Sequence, residues 1–347
     1  MKKKVSLKDV AEHLGVSTAL VSYVMNNKEK KARVSPQMAE KVRKAAVLLN
    51  YQPNLIAKSL KSGKTNTIGL IVADISNPFF SGIARVVEDE AKKAGYVVIF
   101  GSSDESEEKS QNLIDVFLNR QVDALIITAA ENTENQIKDL TRKNFPVVMV
   151  DRYFAGMETD SVHIDNYQAA YKAVEQLIHN GRRRIAMMSY DTTLQHMQDR
   201  KNGYKDALRD NGIRFNNNWL KKASFKNIPE EVFKEIDDLI SPGLKVDGFF
   251  FATNKLAVES LKRINEFGIR VPEDLAIISF DEREAFDFFY SPITYVNQSV
   301  TSIGKEAVKL AISRINDHNK KPSEVVLQAR LVIRESCGRK LKTRLVK

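Results

Sequence analysis

The sequence predicts an α-helical headpiece followed by an α/β region of two doubly wound parallel-sheet lobes with a cleft between them. Three observations predict it. The net charge of +10 lies entirely in the first 64 residues, where twelve lysines, Arg33 and Arg43 face only Asp9, Glu12, Glu29 and Glu40. That basic segment is patterned as short helices with sharp stops, whereas from Thr67 short apolar runs alternate with amphipathic stretches. With 347 residues, 43% hydrophobic and 28% charged, the chain is long enough for two or three compact domains. No apolar run approaches the roughly 20 residues of a membrane-spanning helix, so no membrane partner is expected. The basic start, Met1-Lys2-Lys3-Lys4, lacks the apolar stretch of a secretory signal, and the expected location is the cytoplasm. The one cysteine, Cys337, cannot form an internal disulfide, and no set of ligands around the five histidines is spaced for zinc.

In the headpiece, Ser6 with Asp9 resembles a capping box, Val10, Ala11 and Leu14 share one face, and Gly15 ends the first helix. Ser17 is a good N-cap for a second, in which Val21, Val24 and Met25 form the buried stripe up to Asn26-Asn27. Thr18, Ala19, Ser22, Tyr23 and Asn26 are then left facing outward, short side chains apart from Tyr23 that let a helix settle into a major groove. This is helix-turn-helix geometry on the segment that carries the charge, as expected of a nucleic-acid-binding module; a merely solvated basic tail is the plain alternative. Ser35-Pro36 starts a third helix whose Met38, Val42, Ala45 and Leu49 close a three-helix core. A fourth element, Tyr51 to Gly63, has about seven residues between a proline start and a glycine stop, too few to be stable alone. Ser62-Gly63-Lys64-Thr65 imitates the end of a phosphate-binding loop, but Lys58 stands where the glycine belongs, and it reads as a basic linker.

Through Ser6-Leu7-Lys8-Asp9-Val10-Ala11, Leu14-Gly15-Val16-Ser17, Val21-Ser22, Asn50-Tyr51-Gln52-Pro53-Asn54 and Ala57-Lys58-Ser59-Leu60 the chain resembles the lactose-repressor (LacI) family of transcription regulators. The resemblance implies that the second helix reads base edges, that the short hinge segment pairs with its twin in the minor groove, and that Leu60 wedges between central base pairs. Taken alone, Leu60 could instead pack on the following domain. The DNA-binding set so implied is Ser6, Leu7, Ser17, Thr18, Ala19, Ser22, Tyr23, Asn26, Tyr51, Asn54, Ala57, Lys58 and Leu60. Tyr23 departs from the arginine common at its position, and since a bidentate arginine to guanine is worth about 1–3 kcal/mol of discrimination, the operator half-site is expected to differ.

The larger region begins with strands over 68–73, 97–100, 124–128 and 147–150, with helices near 80–94, 107–119 and 134–144 between them. A second series begins at Val162 and runs through a helix near 167–180, a strand at 185–189, a helix near 197–211, a strand at 248–252, a helix at 256–267 and a strand at 275–280. Ile293 to Val296 and Val300 to Ile315 follow, so the chain is expected to cross back to the first lobe before ending in the second. Ligands bind beyond the carboxyl ends of such strands, here in the interlobe cleft. Asp74, Asn77, Pro78, Phe79 and Phe80 follow the first strand, Asp151 and Arg152 the fourth, Asp281 and Glu282 the last of lobe two. Aromatic rings beside carboxylates and an arginine suit a polyhydroxylated ligand, although Asp74 and Asp281 could merely cap helices and the two phenylalanines could be plain core. The family's sensor region is similar to periplasmic sugar-binding proteins, and the resemblance adds Arg200, Phe225, Asn254 and Gln298 to Asp74, Phe79, Phe80, Asp151 and Asp281 as effector contacts. Asn254 departs from the aspartate common there, and the surroundings of Phe225 are irregular.

Neither a Gly-x-Gly-x-x-Gly turn after the first strand, nor Gly-x-Ser-x-Gly, nor His-Glu-x-x-His occurs, which argues against the corresponding enzymes. The expected organisation is 1–51 helix-turn-helix domain, 52–65 hinge helix and linker, 66–340 two-lobe effector-binding and dimerisation domain, and 341–347 basic tail. The expected protein is a ligand-responsive repressor, no enzyme, needing no cofactor and no metal, whose partners are operator DNA, a sugar-like effector and a second copy of itself. The tail carries no leucine heptad, so dimers are expected rather than tetramers. A sugar-binding module whose DNA role is lost is the alternative.

Overall fold

The computed structural model describes residues 5–52, 63–240 and 246–338, and the chain divides into two compact units, Met1–Thr65 and Asn66–Lys347. In the first, α1 (Leu7–Leu14) is fixed by a complete capping box, the Ser6 hydroxyl accepting from the Asp9 N–H while the Asp9 carboxylate accepts from the Ser6 N–H at 2.7 Å. Gly15, left-handed at φ 66°, stops it. Ser17 caps α2 (Thr18–Met25), and Ser35 with Pro36 starts α3 (Pro36–Leu48). Their shared core is Val10, Ala11, Val21, Val24, Ala39, Val42 and Ala45; Met25, Met38 and Leu49 are half-buried at its edge.

Lobe one is a six-stranded parallel sheet in the order β11-β5-β4-β3-β1-β2: β1 (Thr67–Val72), β2 (Val97–Ser102), β3 (Ala124–Ile127), β4 (Val147–Val150), β5 (Asp160–Ile164) and β11 (Glu324–Leu327). Its helices are α4 (Pro78–Lys93), α5 (Glu107–Asn119) and α6 (Glu134–Arg142). Lobe two is ordered β12-β10-β9-β8-β6-β7, with β6 (Ile185–Tyr190), β7 (Leu220–Ala223), β8 (Gly248–Phe251), β9 (Ala276–Phe280), β10 (Thr294–Asn297) and β12 (Arg330–Val332). Its helices include α7 (Asn166–His179), α8 (Gln195–Asp210), α9 (Ile228–Ile240), α10 (Asn254–Glu266) and the short α11 (Ala285–Phe288). The helix α12 (Val300–Asn316) returns to pack on α4 and lobe-one strands.

The chain thus crosses between lobes after β5, after β10 and after β11. Central strands such as Ala-Leu-Ile-Ile of β3 and Gly-Phe-Phe-Phe of β8 are buried throughout, as parallel strands covered on both faces must be. Two expectations need correction and one is refined. Val162 does not open the second lobe, because β5 pairs in parallel with β4 and β11. Lobe two is a parallel sheet as expected, with the edge strand β12 added antiparallel to β10. The elements β7, α9, β11 and β12 lie outside the expected series. Among the described residues no helix is long and apolar enough to cross a membrane.

Candidate functional site

The two units carry different surfaces. On α2, Val21 and Val24 are fully buried, while Thr18, Ala19, Tyr23 and Asn26 are exposed and Ser22 is half-buried, so the expected outward face is the observed one. Tyr23, at 46% exposure, stands free of the core. The Ser17 hydroxyl accepts from the Leu20 N–H at 3.2 Å, and the Asn26 amide donates to the Ser22 carbonyl at 2.8 Å, which fixes both ends of the helix. Leu7 and Tyr51 are half-buried against the headpiece core, so packing engages both. Asn54, Ala57, Lys58 and Leu60 lie outside the described residues. Among the described residues, Lys28, Lys30, Lys31, Arg33 and Lys41 are exposed and make no ion pair, whereas Arg43 is held by Glu29 at 2.5 Å and Lys44 by Glu40 at 2.8 Å. Unpaired cations beside an exposed helix face are what phosphate contact requires.

Between the lobes lies a cavity of about 1240 Å³. It is built where strands end. After β1, Asp74 accepts from the Ser76 N–H and hydroxyl, while Asn77 caps α4 by accepting from the Phe79 N–H, so the capping role falls to Asn77 and not to Asp74. Phe79 and Phe80 are both core and cavity wall, their rings 5.1 Å apart and nearly edge-on. Asp151 after β4 and Asp281 after β9 occupy the same left-handed conformation, φ 67° and 63°, each with its N–H tied at 2.9 Å to a neighbouring strand. Aspartate tolerates that region better than most side chains, and here it turns a carboxylate from each lobe into the cleft.

Two guanidiniums balance these acids. Arg152 bonds both oxygens of Glu105 at 2.6 Å and the Ala129 carbonyl at 2.9 Å. Arg200, only 2% exposed, donates to Asn166 at 2.8 Å and to the Ala252 carbonyl at 2.7 Å, and lies 3.7 Å from the Phe280 ring centroid. Gln298 donates to Asp281 at 2.5 Å. Phe225 stacks on Tyr190 at 4.1 Å, and both line the cavity. Burial pushes the Asp281 carboxyl up to about 6 against the pull of Arg200, and it raises Asp151 likewise. Burial, with Arg152 and Arg200 nearby, holds His196 well below its ordinary value, so that it is neutral. Burial also lowers the Arg200 pKa; for Arg152 burial works against the charge, and Glu105 together with Asp151 and Tyr190 raises the pKa on balance.

Of the expected effector contacts, Asp74, Phe79, Phe80, Asp151, Arg200, Phe225, Asp281 and Gln298 line this one cavity. Asn254 does not: it is fully buried at the start of α10, where its amide donates to Asn77 of lobe one at 3.2 Å. That bond is one of several between lobes, with the Thr193 N–H and hydroxyl both 2.7 Å from Glu131, Tyr153 to Asp199 at 3.0 Å, and Lys255 to Asp74 at 3.5 Å. Glu105, Glu131, Tyr190 and His196 were not among the expected contacts and also line the cavity. Among the described residues no cluster of His, Cys, Asp and Glu is placed to hold a metal ion.

Comparison with known proteins agrees with this division. Residues 6–54 match the model of bacterial regulatory proteins of the lacI family, and residues 174–337 match that of a periplasmic binding protein-like domain. The transcriptional repressor PurR of Histophilus somni (strain 129Pt) is 30% identical over 332 residues, 95% of this chain and 98% of its own. Among solved structures, the transcriptional regulator CelR in complex with cellobiose superposes with a TM-score of 0.72 at 25% identity, over 96% of this chain and all of that one. The lac repressor dimer, bound to operator and an anti-inducer, shares the fold with a TM-score of 0.85 at 22% identity, over 96% of this chain and 99% of that one. The chain belongs to the lacI family of bacterial regulatory proteins and is a ligand-responsive, DNA-binding transcription repressor.

Proposed function

We propose that this repressor acts in the cytoplasm as a homodimer on a palindromic operator and is controlled by a small carbohydrate-like effector bound between its lobes. The observation that carries the proposal is the presence in one chain of an exposed, uncommitted α2 face and of a cleft in which carboxylates, guanidiniums and aromatic rings converge. Thr18, Ala19, Ser22, Tyr23 and Asn26 would meet base edges, Ser6 and Ser17 at the helix starts would lie near phosphates, and Asn54, Ala57, Lys58 and Leu60 would act in the hinge. In the cleft, Phe79, Phe80 and Phe225 offer apolar faces for sugar rings, while Asp74, Asp151, Arg200, Asp281 and Gln298 offer partners for hydroxyls. The cellobiose complex of the relative CelR agrees with that ligand class.

Dimerisation is supported by exposed apolar side chains on the larger unit. Val97 and Phe100 on the edge strand β2, with Val116 on α5, are 65%, 62% and 46% exposed, and Phe288 and Tyr290 of lobe two are 81% and 59% exposed. Large apolar residues grouped on an edge strand are a liability in a monomer and the usual centre of an interface. A two-fold dimer would match a two-fold operator.

Selection of bound sequences from a random duplex library by the full chain, at a fixed salt concentration, tests the proposal. Enrichment of a palindrome that sugars then displace is the expected result. Failure to enrich any sequence, with or without a panel of sugars, would leave only the sugar-binding alternative.

A further inference from the structure

Resting on the reading of the cleft as the effector site, we propose that Glu131 is a positioning residue: from lobe one it holds the start of α8 in lobe two, and through that helix it sets where His196 and Arg200 stand relative to Arg152. The case begins with the helix. The residue ahead of Gln195 is Leu194, whose side chain cannot accept a hydrogen bond, and α8 has no side-chain cap of its own. The donors just before it, the Thr193 N–H and hydroxyl, both reach one oxygen of Glu131 at 2.7 Å. The carboxylate that serves the start of this helix thus comes from the other lobe, 62 positions away in sequence.

Bonds to an ionised acceptor are short and about twice as strong as neutral ones, and a negative charge is favoured at a helix N-terminus. By contrast the Asn254 to Asn77 bond is neutral and 3.2 Å long, and Lys255 lies 3.5 Å from Asp74. Burial works to raise the Glu131 carboxyl, and the bonds from Thr193 and Thr192 outweigh it and lower the pKa, which keeps the group ionised. The loop that carries Glu131 is itself fixed. Arg152 donates to the Ala129 carbonyl at 2.9 Å, and the buried Thr133 hydroxyl donates to the Ala130 carbonyl at 2.8 Å. Beyond Thr193, His196 and Arg200 line the cavity, and Asp199 between them accepts from Tyr153, the chain neighbour of Arg152, at 3.0 Å. The two cleft guanidiniums are therefore joined by two routes, through Glu131 and Thr193 in one and through Tyr153 and Asp199 in the other. Both routes consist of the chain's own bonds, so the test needs no effector. Thr193 is exposed and forms no part of the cavity wall, so a variant there alters the clasp without altering a cavity residue.

Hydrogen exchange of the full chain, read in the peptide covering residues 192–200, tests the proposal. A second measurement is the distance between spin labels at two exposed positions, Lys143→Cys in lobe one and Glu230→Cys in lobe two, with the buried Cys337 replaced by serine. Glu131→Ala is expected to speed exchange in that peptide roughly tenfold, to leave the rest of lobe two as protected as before, and to lengthen the mean label distance by several ångströms. Thr193→Val, which removes the hydroxyl and keeps the N–H, is expected to act in the same direction to a smaller extent and to add nothing to Glu131→Ala. Exchange or distance unchanged in Glu131→Ala overturns the proposal. So does exchange that rises throughout both lobes, which marks general destabilisation, or a Thr193→Val effect that adds in full to that of Glu131→Ala. None of these results bears on which ligand fills the cleft, so the saccharide reading stands or falls separately, with the sugar panel.

Discussion

Asp281 is the side chain whose environment makes the sharpest forecast. Its carboxyl is buried and raised from 3.8 to about 6, so between those values the folded protein holds a proton that the unfolded chain has released. The sign follows: this group's contribution is most favourable at low pH, falls as pH rises from about 4 to about 6, and is level above that. Asp281→Asn removes the loss, and the stability of the variant relative to the parent is expected to rise between pH 4 and pH 7 by on the order of 3 kcal/mol. Urea unfolding at both values measures it, and a difference that does not change with pH would contradict the assignment. The same variant should lose effector binding, since the carboxylate held by Gln298 faces the cavity. On the headpiece, Arg33→Ala should weaken binding to all duplexes alike and lower the slope of log K against log salt by about 1, whereas Tyr23→Ala should change which bases are preferred. Reversal of those two outcomes in binding titrations would exchange the roles given to the residues. Asp151 and Asp281 were legible because strand ends are legible. Glu105 was not, because its importance comes through Arg152, 47 residues away, and nothing in sequence spacing joins them.

Among elements, the contact of α7 with α8 matters most to the site, because α8 carries Arg200 and His196. It depends on Gly203, where an added Cβ would lie 2.3 Å from the Tyr167 carbonyl oxygen and 3.0 Å from the Tyr171 nitrogen. Backbone cannot step aside as a side chain can, so Gly203→Ala is expected to cost about 3 kcal/mol or more and to weaken effector binding by displacing Arg200. Thermal unfolding with ligand titration checks both, and a neutral effect on each would show that the helices separate freely. In the headpiece, Ser17→Ala removes the cap of α2 and is expected to cost about 1 kcal/mol in the transition of that unit alone, seen by calorimetry. The headpiece helices were legible because serine caps, Gly15 and Pro36 mark their ends. The helix α9 carries a regular signal as well, with Ile228, Val232, Ile236 and Leu239 all buried, Pro229 in its first turn and Pro242-Gly243 in the sequence after it, so it too was legible although it lies outside the expected series. The strands β7, β11 and β12 are three or four residues long and half exposed at or beside sheet edges, so neither alternation nor an apolar run announces them. The membership of β5 in lobe one is a matter of pairing, which a linear pattern of hydrophobicity does not contain.

At the scale of the molecule, the division into a basic reader and a charge-balanced larger unit was visible from charge, its two lobes from the alternation of apolar runs and amphipathic stretches, and the threefold crossing between lobes in part, because Ile293 to Val296 and Val300 to Ile315 follow the second series. What could not be read was how the lobes are held together: Asn77, Glu131, Asp199 and Asp74 find their partners across 177, 62, 46 and 181 positions of sequence. The functional consequence of the division is linkage. An effector that weakens operator binding must itself be bound more weakly by the operator complex, and by the same factor, with a coupling of typically about 1–3 kcal/mol. One measurement tests that claim most directly: titration of the effector into the full chain, free and saturated with its selected operator, at one salt concentration. The account predicts that the affinities differ by a factor of about 5 to 150, matched by the factor by which effector shifts operator affinity, and that Arg200→Ala abolishes both. Equal effector affinity with and without operator would mean that the cleft does not control the DNA-reading unit.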